Sequence, residues 1–207
     1  MPTMVALPHG FSCRIIRLRH YVRDGAQESP ETHVSTGPGT RYDKVMSGRL
    51  TIGALVDRAE ISDVVLRYAT AVDQRDWKLY RTVFTEKLIV DFSSWSGEPE
   101  MAMAVDDWVE TVRKTLSGFD ATHHLSSNHV TTLSGESAIC VSYMVARHYL
   151  VENGERLMHS IGGHYTNRLD RTADGWKIAH CALTVTWEMG DRGLFEIAAA
   201  RVSEGPP

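Results

Sequence analysis

The chain has 207 residues, 43% of them hydrophobic and 23% charged, which is enough to bury a sizeable core and too apolar for a chain disordered throughout. A formal charge of -4 argues against nucleic acid, whose polyphosphate backbone calls for a clustered basic surface. No run approaches the roughly 18 to 20 uncharged apolar residues of a membrane span, and Cys13, Cys140 and Cys181 lack C-x-x-C spacing and suit reduced thiols, so the reading is a cytoplasmic protein with no membrane partner.

Residues 1–47 mix Pro, Gly, Ser, Thr and charges, as in "RDGAQESPETHVSTGPGTRYDK", with no sustained period, and read as a disordered N-terminal extension. A domain over 48–195 follows, and 196–207 reads as a C-terminal tail. Within the domain, Ile61, Val64, Val65, Tyr68, Ala69 and Val72 recur at helical spacing and predict one apolar stripe facing a core. Asp73 and Asp76 bracket a break. Trp77, Tyr80, Val83 and Phe84 then suggest a short second helix, "LIVDF" a strand over 88–92, and "MAVDDWVETVRKTL" a third helix over 103–116.

From there the period changes to two. Four β-like runs, 121–133, 137–151, 156–170 and 176–188, are separated by short turns, of which Asn153-Gly154 and Asp174-Gly175 tolerate the positive φ of tight hairpins. Consecutive hairpins make an antiparallel sheet, and helices followed by a long meander predict an α+β fold. In such a fold a curved antiparallel sheet wraps around the helices and encloses a pocket. Gly162-Gly163 marks a bend or bulge in the third run.

The stretch "ATHHLSSNHV" over 121–130 raises the question of chemistry. Alternation places His124, Ser126 and Asn128 on one face and His123, Leu125 and His129 on the other. With no H-x-H, H-x-x-x-H or H-E-x-x-H spacing in the chain, no metal site is expected. Asp73 at the end of the first helix has two readings. It is an ordinary turn residue, or it is a buried carboxylate that orients a histidine acting as a base. Tyr68, five residues earlier, packs in the core or offers a phenol to developing negative charge. About 140° separates such positions on a regular helix, so both serve one pocket only if the helix end is buried or distorted.

"AEISDVVLRYATAVDQRDW", "THHLSSNHV" and "IGGHYTNRLDRTADGWKI" together resemble the SnoaL-like branch of the nuclear transport factor 2-like superfamily. That branch includes polyketide cyclases, scytalone dehydratase, a bile acid dehydratase and hexachlorocyclohexane dehydrochlorinase. The resemblance implies a cone-shaped α+β fold. It matches Asp73 and His124 to the family's catalytic pair, the histidine through Thr122, His124 and Asn128 in T-x-H-x-x-x-N, and Tyr68 to the dehydratase's tyrosine. The dehydrochlorinase has a lysine and an arginine where this chain has Tyr68 and Cys181, which turns the expectation toward loss of water, double-bond migration or cyclisation.

The implied activity is a cofactor-independent lyase or isomerase that abstracts a carbon-bound proton from a small, cyclic, oxygenated substrate. Catalysis would rest on Asp73, His124 and Tyr68, with no cofactor. Strand parity together with the family pattern puts Asn128, Met144, Tyr165 and Trp187 around the substrate. His148, His164 and His180 read as surface or rim residues. The resemblance also implies a homodimer or homotrimer. The same fold serves as a non-catalytic binding or assembly module, which is the competing reading.

Overall fold

The computed structural model describes residues 51–204, and the N-terminal extension expected over 1–47 lies outside them. Helix α1 (Ile52–Gln74) starts at Thr51, whose hydroxyl accepts from the Ala54 N–H at 3.1 Å, a side-chain N-cap. Its buried face is the predicted stripe, with Ile61, Val64, Val65, Tyr68, Ala69, Ala71 and Val72 turned inward. The helix ends at Arg75, which adopts φ 57. The next turn is closed by Asp76, whose carboxylate accepts from the Leu79 N–H at 2.9 Å and caps α2 (Trp77–Thr82). Strand β1 (Phe84–Asp91), the single turn α3 (Ser93–Ser96), β2 (Met101–Ala104) and α4 (Val105–Leu116) follow. Acidic residues in the first turn of α4 and basic ones in its last match the helix dipole.

Strands β3 (Ala121–Ser134), β4 (Ser137–Glu152), β5 (Glu155–Thr172) and β6 (Gly175–Met189) form the predicted meander, and α5 (Leu194–Glu204) closes the described chain. The sheet order is β2-β1-β6-β5-β4-β3. It is mixed rather than wholly antiparallel, because β1 pairs with β6 in parallel, with Val90 opposite Cys181. Hairpin turns specify only neighbours contiguous in the chain. The β1–β6 pairing joins segments separated by the whole meander, so it answers to packing rather than to turns.

The segment read as a C-terminal tail from residue 196 is largely helix. Leu194 and Ala198, one turn apart, are 1% and 0% exposed, so α5 is anchored in the core and not solvated.

Two irregularities govern which side chains face the helices. In β3 the register shifts between Ser127 and Val130, and Asn128 takes φ 52, so one extra residue resets the alternation. Between β5 and β6 the register shifts at Gly162/Gly163: Gly163 faces Val185, but Gly162 faces Trp187. A Cβ on Gly162 would lie 2.0 Å from the Trp187 ring, and one on Gly163 would lie 2.0 Å from the Thr184 carbonyl oxygen. Gly163 is therefore required by close approach to main chain, whereas Gly162 makes room for the Trp187 side chain, and both suit the curvature.

Candidate active site

The concave side of the sheet and the helices enclose a cavity of about 240 Å³. Its walls come from every layer: Tyr68 from α1, Trp108 from α4, His124 from β3, Met144 and His148 from β4, Tyr165 from β5, and Phe195 from α5. None of the described residues lining it is Lys, Arg, Asp or Glu. The polar groups are imidazoles, phenols and a few hydroxyls set in apolar and aromatic surface, the usual make-up of a small-molecule pocket.

His124 is the side chain with the most developed support. Its Nδ1 lies 2.7 Å from Asp73 Oδ1, and its main-chain N–H donates to Asp73 Oδ2 at 2.7 Å. The Thr122 hydroxyl donates to Oδ1 at 2.9 Å, and Arg75 Nη1 donates to Thr122 Oγ1 at 2.7 Å. A carboxylate can only accept, so Nδ1 carries the hydrogen and Nε2 keeps its lone pair. Burial pushes the Asp73 pKa up. The bonds from the His124 ring and main chain, the electrostatic attraction of that ring and the Thr122 hydroxyl outweigh it and hold the carboxyl below its ordinary range.

The helical-spacing problem between Tyr68 and Asp73 is resolved at the helix end. Tyr68 lines the cavity, whereas Asp73 reaches around the last turn to β3 and supports His124 from behind. The turn that makes this possible passes through Arg75 at φ 57, a conformation that costs a non-glycine residue roughly 1–2 kcal/mol. The Tyr68 and Tyr165 hydroxyls are 3.3 Å apart. Burial, followed by neighbouring tyrosines and Cys181, pushes both phenols well above their ordinary pKa, so both remain donors.

Of the residues expected around the substrate, Met144 and Tyr165 line the cavity; Asn128 and Trp187 do not. The cause in each case is a bulge that flips the alternation. Asn128 sits exposed at the β3 bulge, and Trp187, 45% exposed, lies across Gly162. The same β3 bulge turns His129, expected to face away, toward α1. There Ser62 Oγ lies 2.7 Å from its Nδ1 and Ser126 Oγ 2.9 Å from its Nε2.

His148, expected at the surface or rim, is 3% exposed and lines the cavity. Its ring stands edge-on to that of His124, with centroids 5.7 Å apart. Burial, helped by the neighbouring His124 and His159, pushes its pKa down to about 3, so it is a neutral imidazole. Behind it lies His159, fully buried, with Nε2 2.8 Å from Glu188 Oε1. Among the described residues no group of three or more His, Cys, Asp or Glu side chains is arranged to hold a metal ion. The sequence signal for His148 was present, since Leu150, Ala146 and Met144 share its inward parity on β4. Phe195 was missed because the domain was expected to end at that residue, with no helix across the boundary.

Residues 53–182 match a family described as SnoaL-like domains. The crystal structure of the Kfla4162 protein from Kribbella flavida is 32% identical and superposes with a TM-score of 0.64, over 70% of this chain and 98% of that one. A relative from Penicillium crustosum, the terrestric acid biosynthesis cluster protein E, is 28% identical over 147 residues, 69% of this chain and 91% of that protein. The fold is also that of a hexachlorocyclohexane dehydrochlorinase from Novosphingobium barchaimii, at 18% identity and a TM-score of 0.55 over 67% of this chain and 92% of that one.

Proposed function

The chain belongs to the family of SnoaL-like domains, and from that premise we propose that its cavity carries out a lyase or isomerase reaction on a small, uncharged, oxygenated ring compound. The reaction begins with removal of a carbon-bound proton. The observation that carries this reading is the pairing of His124 Nδ1 with Asp73 at 2.7 Å, which leaves Nε2 as an available lone pair at the wall of an apolar cavity. A neutral imidazole held in one tautomer by a buried carboxylate is a general base, and the carboxylate stabilises the imidazolium once the proton has moved.

In the proposed reaction, His124 Nε2 takes the proton from a carbon next to a carbonyl, and the C–H electron pair moves to form an enolate. The Tyr68 phenol, adjoining Tyr165, donates to the enolate oxygen. The electrons then return to expel a hydroxyl from the β-carbon, which leaves as water with the proton held on His124. Alternatively, the same proton is given back to another carbon and the double bond has migrated. Both outcomes use one base and balance without a further reactant. Loss of HCl is the reaction that the dehydrochlorinase's name states. Here the described lining residues include no cation to meet a departing chloride, and Cys181 is fully buried with its thiol pushed up by burial, which favours an oxygen leaving group. A relative named for a biosynthesis cluster is in keeping with a modest organic substrate, and the uncharged side chains of the described lining favour one without phosphate or carboxylate.

The test is incubation of the protein in D2O with a panel of hydroxylated cyclic ketones, read by mass spectrometry for loss of water or gain of deuterium. Activity should be present in the wild type and reduced on the order of 10²- to 10⁴-fold in His124→Ala. Full activity in the His124→Ala/Asp73→Asn double variant would overturn the reading. A tight ligand recovered chemically unchanged, with no deuterium gained on long incubation, would replace it with a binding role.

A further inference from the structure

We propose that Arg75 is a positioning residue for the His124–Asp73 pair, acting through the hydroxyl of Thr122. The inference deepens the reading of that pair as the catalytic base. Arg75 occupies a left-handed helix-terminating position, φ 57, where glycine or asparagine is favoured. Its backbone N–H closes the helix on the Ala71 and Val72 carbonyls, a service any residue at that φ would perform. The choice of a long cationic side chain at a costly backbone position therefore points to the side chain itself.

Its Nη1 donates to two acceptors, the Val72 carbonyl and Thr122 Oγ1, each at 2.7 Å. The first fixes the guanidinium against the last turn of α1, and the second joins that turn to β3. The consequence lies in hydrogen counting. The Thr122 hydroxyl has one hydrogen and can accept at its lone pairs. With Arg75 donating into it, that hydrogen is directed to Asp73 Oδ1 at 2.9 Å, where it adds to the His124 bonds to both carboxylate oxygens.

Arg75 thus orders the hydroxyl, the hydroxyl orders the carboxylate, and the carboxylate sets the tautomer of His124. Around the His124 ring the titratable groups are Asp73 and Tyr68 from α1, His148 from β4 and Tyr165 from β5, with Arg75 supplying the cation behind Asp73.

The test is nitrogen-15 NMR of the histidine rings in the ligand-free full chain, at a pH where His124 is neutral. The wild type should show the Nδ1–H tautomer with a slowly exchanging ring proton. Arg75→Gly, which suits the backbone, and Arg75→Asn, which tolerates it, should keep the fold yet mix the tautomers. Exchange should quicken roughly five- to tenfold, the factor carried by one hydrogen bond. Thr122→Val should do the same, Thr122→Ser should not, and Arg75→Gly/Thr122→Val should move no further than Thr122→Val alone. An unchanged tautomer and exchange rate in both Arg75 variants, or additive effects in the double variant, would overturn the proposal. These readings need no substrate. Turnover surviving in His124→Ala would remove the catalytic reading and leave this result standing.

Discussion

Replacing Asp73 with asparagine tests the centre of the site in one step. The carboxylate accepts three bonds, from Thr122 Oγ1 and His124 Nδ1 on Oδ1 and from the His124 main-chain N–H on Oδ2. An amide can keep its oxygen toward Thr122 and the ring, but its NH2 then faces the main-chain N–H, donor against donor. One part-buried donor is left unpaired, which costs about 1–3 kcal/mol, and the two surviving bonds lose their charge assistance. The net loss at pH 7 is about 2–3 kcal/mol, or a fall in Tm of about 5–10 °C for a domain of this size.

The pH dependence has a definite sign. The Asp73 pKa is depressed in the folded chain, so its stabilisation is fully present above the ordinary carboxylate pKa of about 3.9 and is lost as pH falls through the folded value. Urea unfolding of wild type and Asp73→Asn should therefore give a gap that narrows below about pH 4. A variant as stable as wild type at pH 7, or a gap that fails to narrow below about pH 4, would refute the assignment of Asp73 as a part-buried, bond-accepting anion.

Three other expectations follow from particular contacts. On the proposed reading His124 serves as a base only when neutral, so kcat/KM should rise with pH on an ascending limb that His124→Ala removes, whereas a profile flat in acid would exclude that role. Gly163→Ala should destabilise by about 1–3 kcal/mol in thermal or urea unfolding, more than Gly162→Ala. The first Cβ would strike the Thr184 main chain and the second the half-exposed Trp187 ring, which can swing away. Phe195→Ala, which removes a partly buried ring lying against both His148 and His159 at 4.8 and 5.4 Å between centroids, should cost about 1–3 kcal/mol. It should also raise the affinity for bulky apolar probes, as read by dye fluorescence.

Much of this protein is legible without coordinates. The inward stripe of α1 and the β3–β6 meander follow from periodicity and turn chemistry, which are local properties of a chain. His124 and Asp73 were singled out by the resemblance, through Thr122, His124 and Asn128 in T-x-H-x-x-x-N and a carboxylate at the helix end; strand parity by itself only put His123 and His124 on opposite faces. What only the tertiary structure decided has a common cause. Asn128 and Trp187 were assigned to the pocket by regular alternation, and a single extra residue in β3 and one at the β5–β6 ladder reversed the phase for them. The glycine pair 162–163 does mark the β5–β6 irregularity, but the residue of β6 that it displaces, and the β3 bulge at Asn128, depend on what the other strand and the covering helix offer and leave little trace in the strand's own residues. The parallel β1–β6 pairing, the anchoring of α5 through Leu194 and Ala198, and the burial of His148 beside His124 are likewise contacts between distant segments. Their free energy comes from surface removed from water together, which no single segment carries alone. The sequence by itself therefore determined the elements, and through its family resemblance nominated a candidate base. The packed chain decided which faces meet, and so gave the cavity its walls and Asp73 its three bonds.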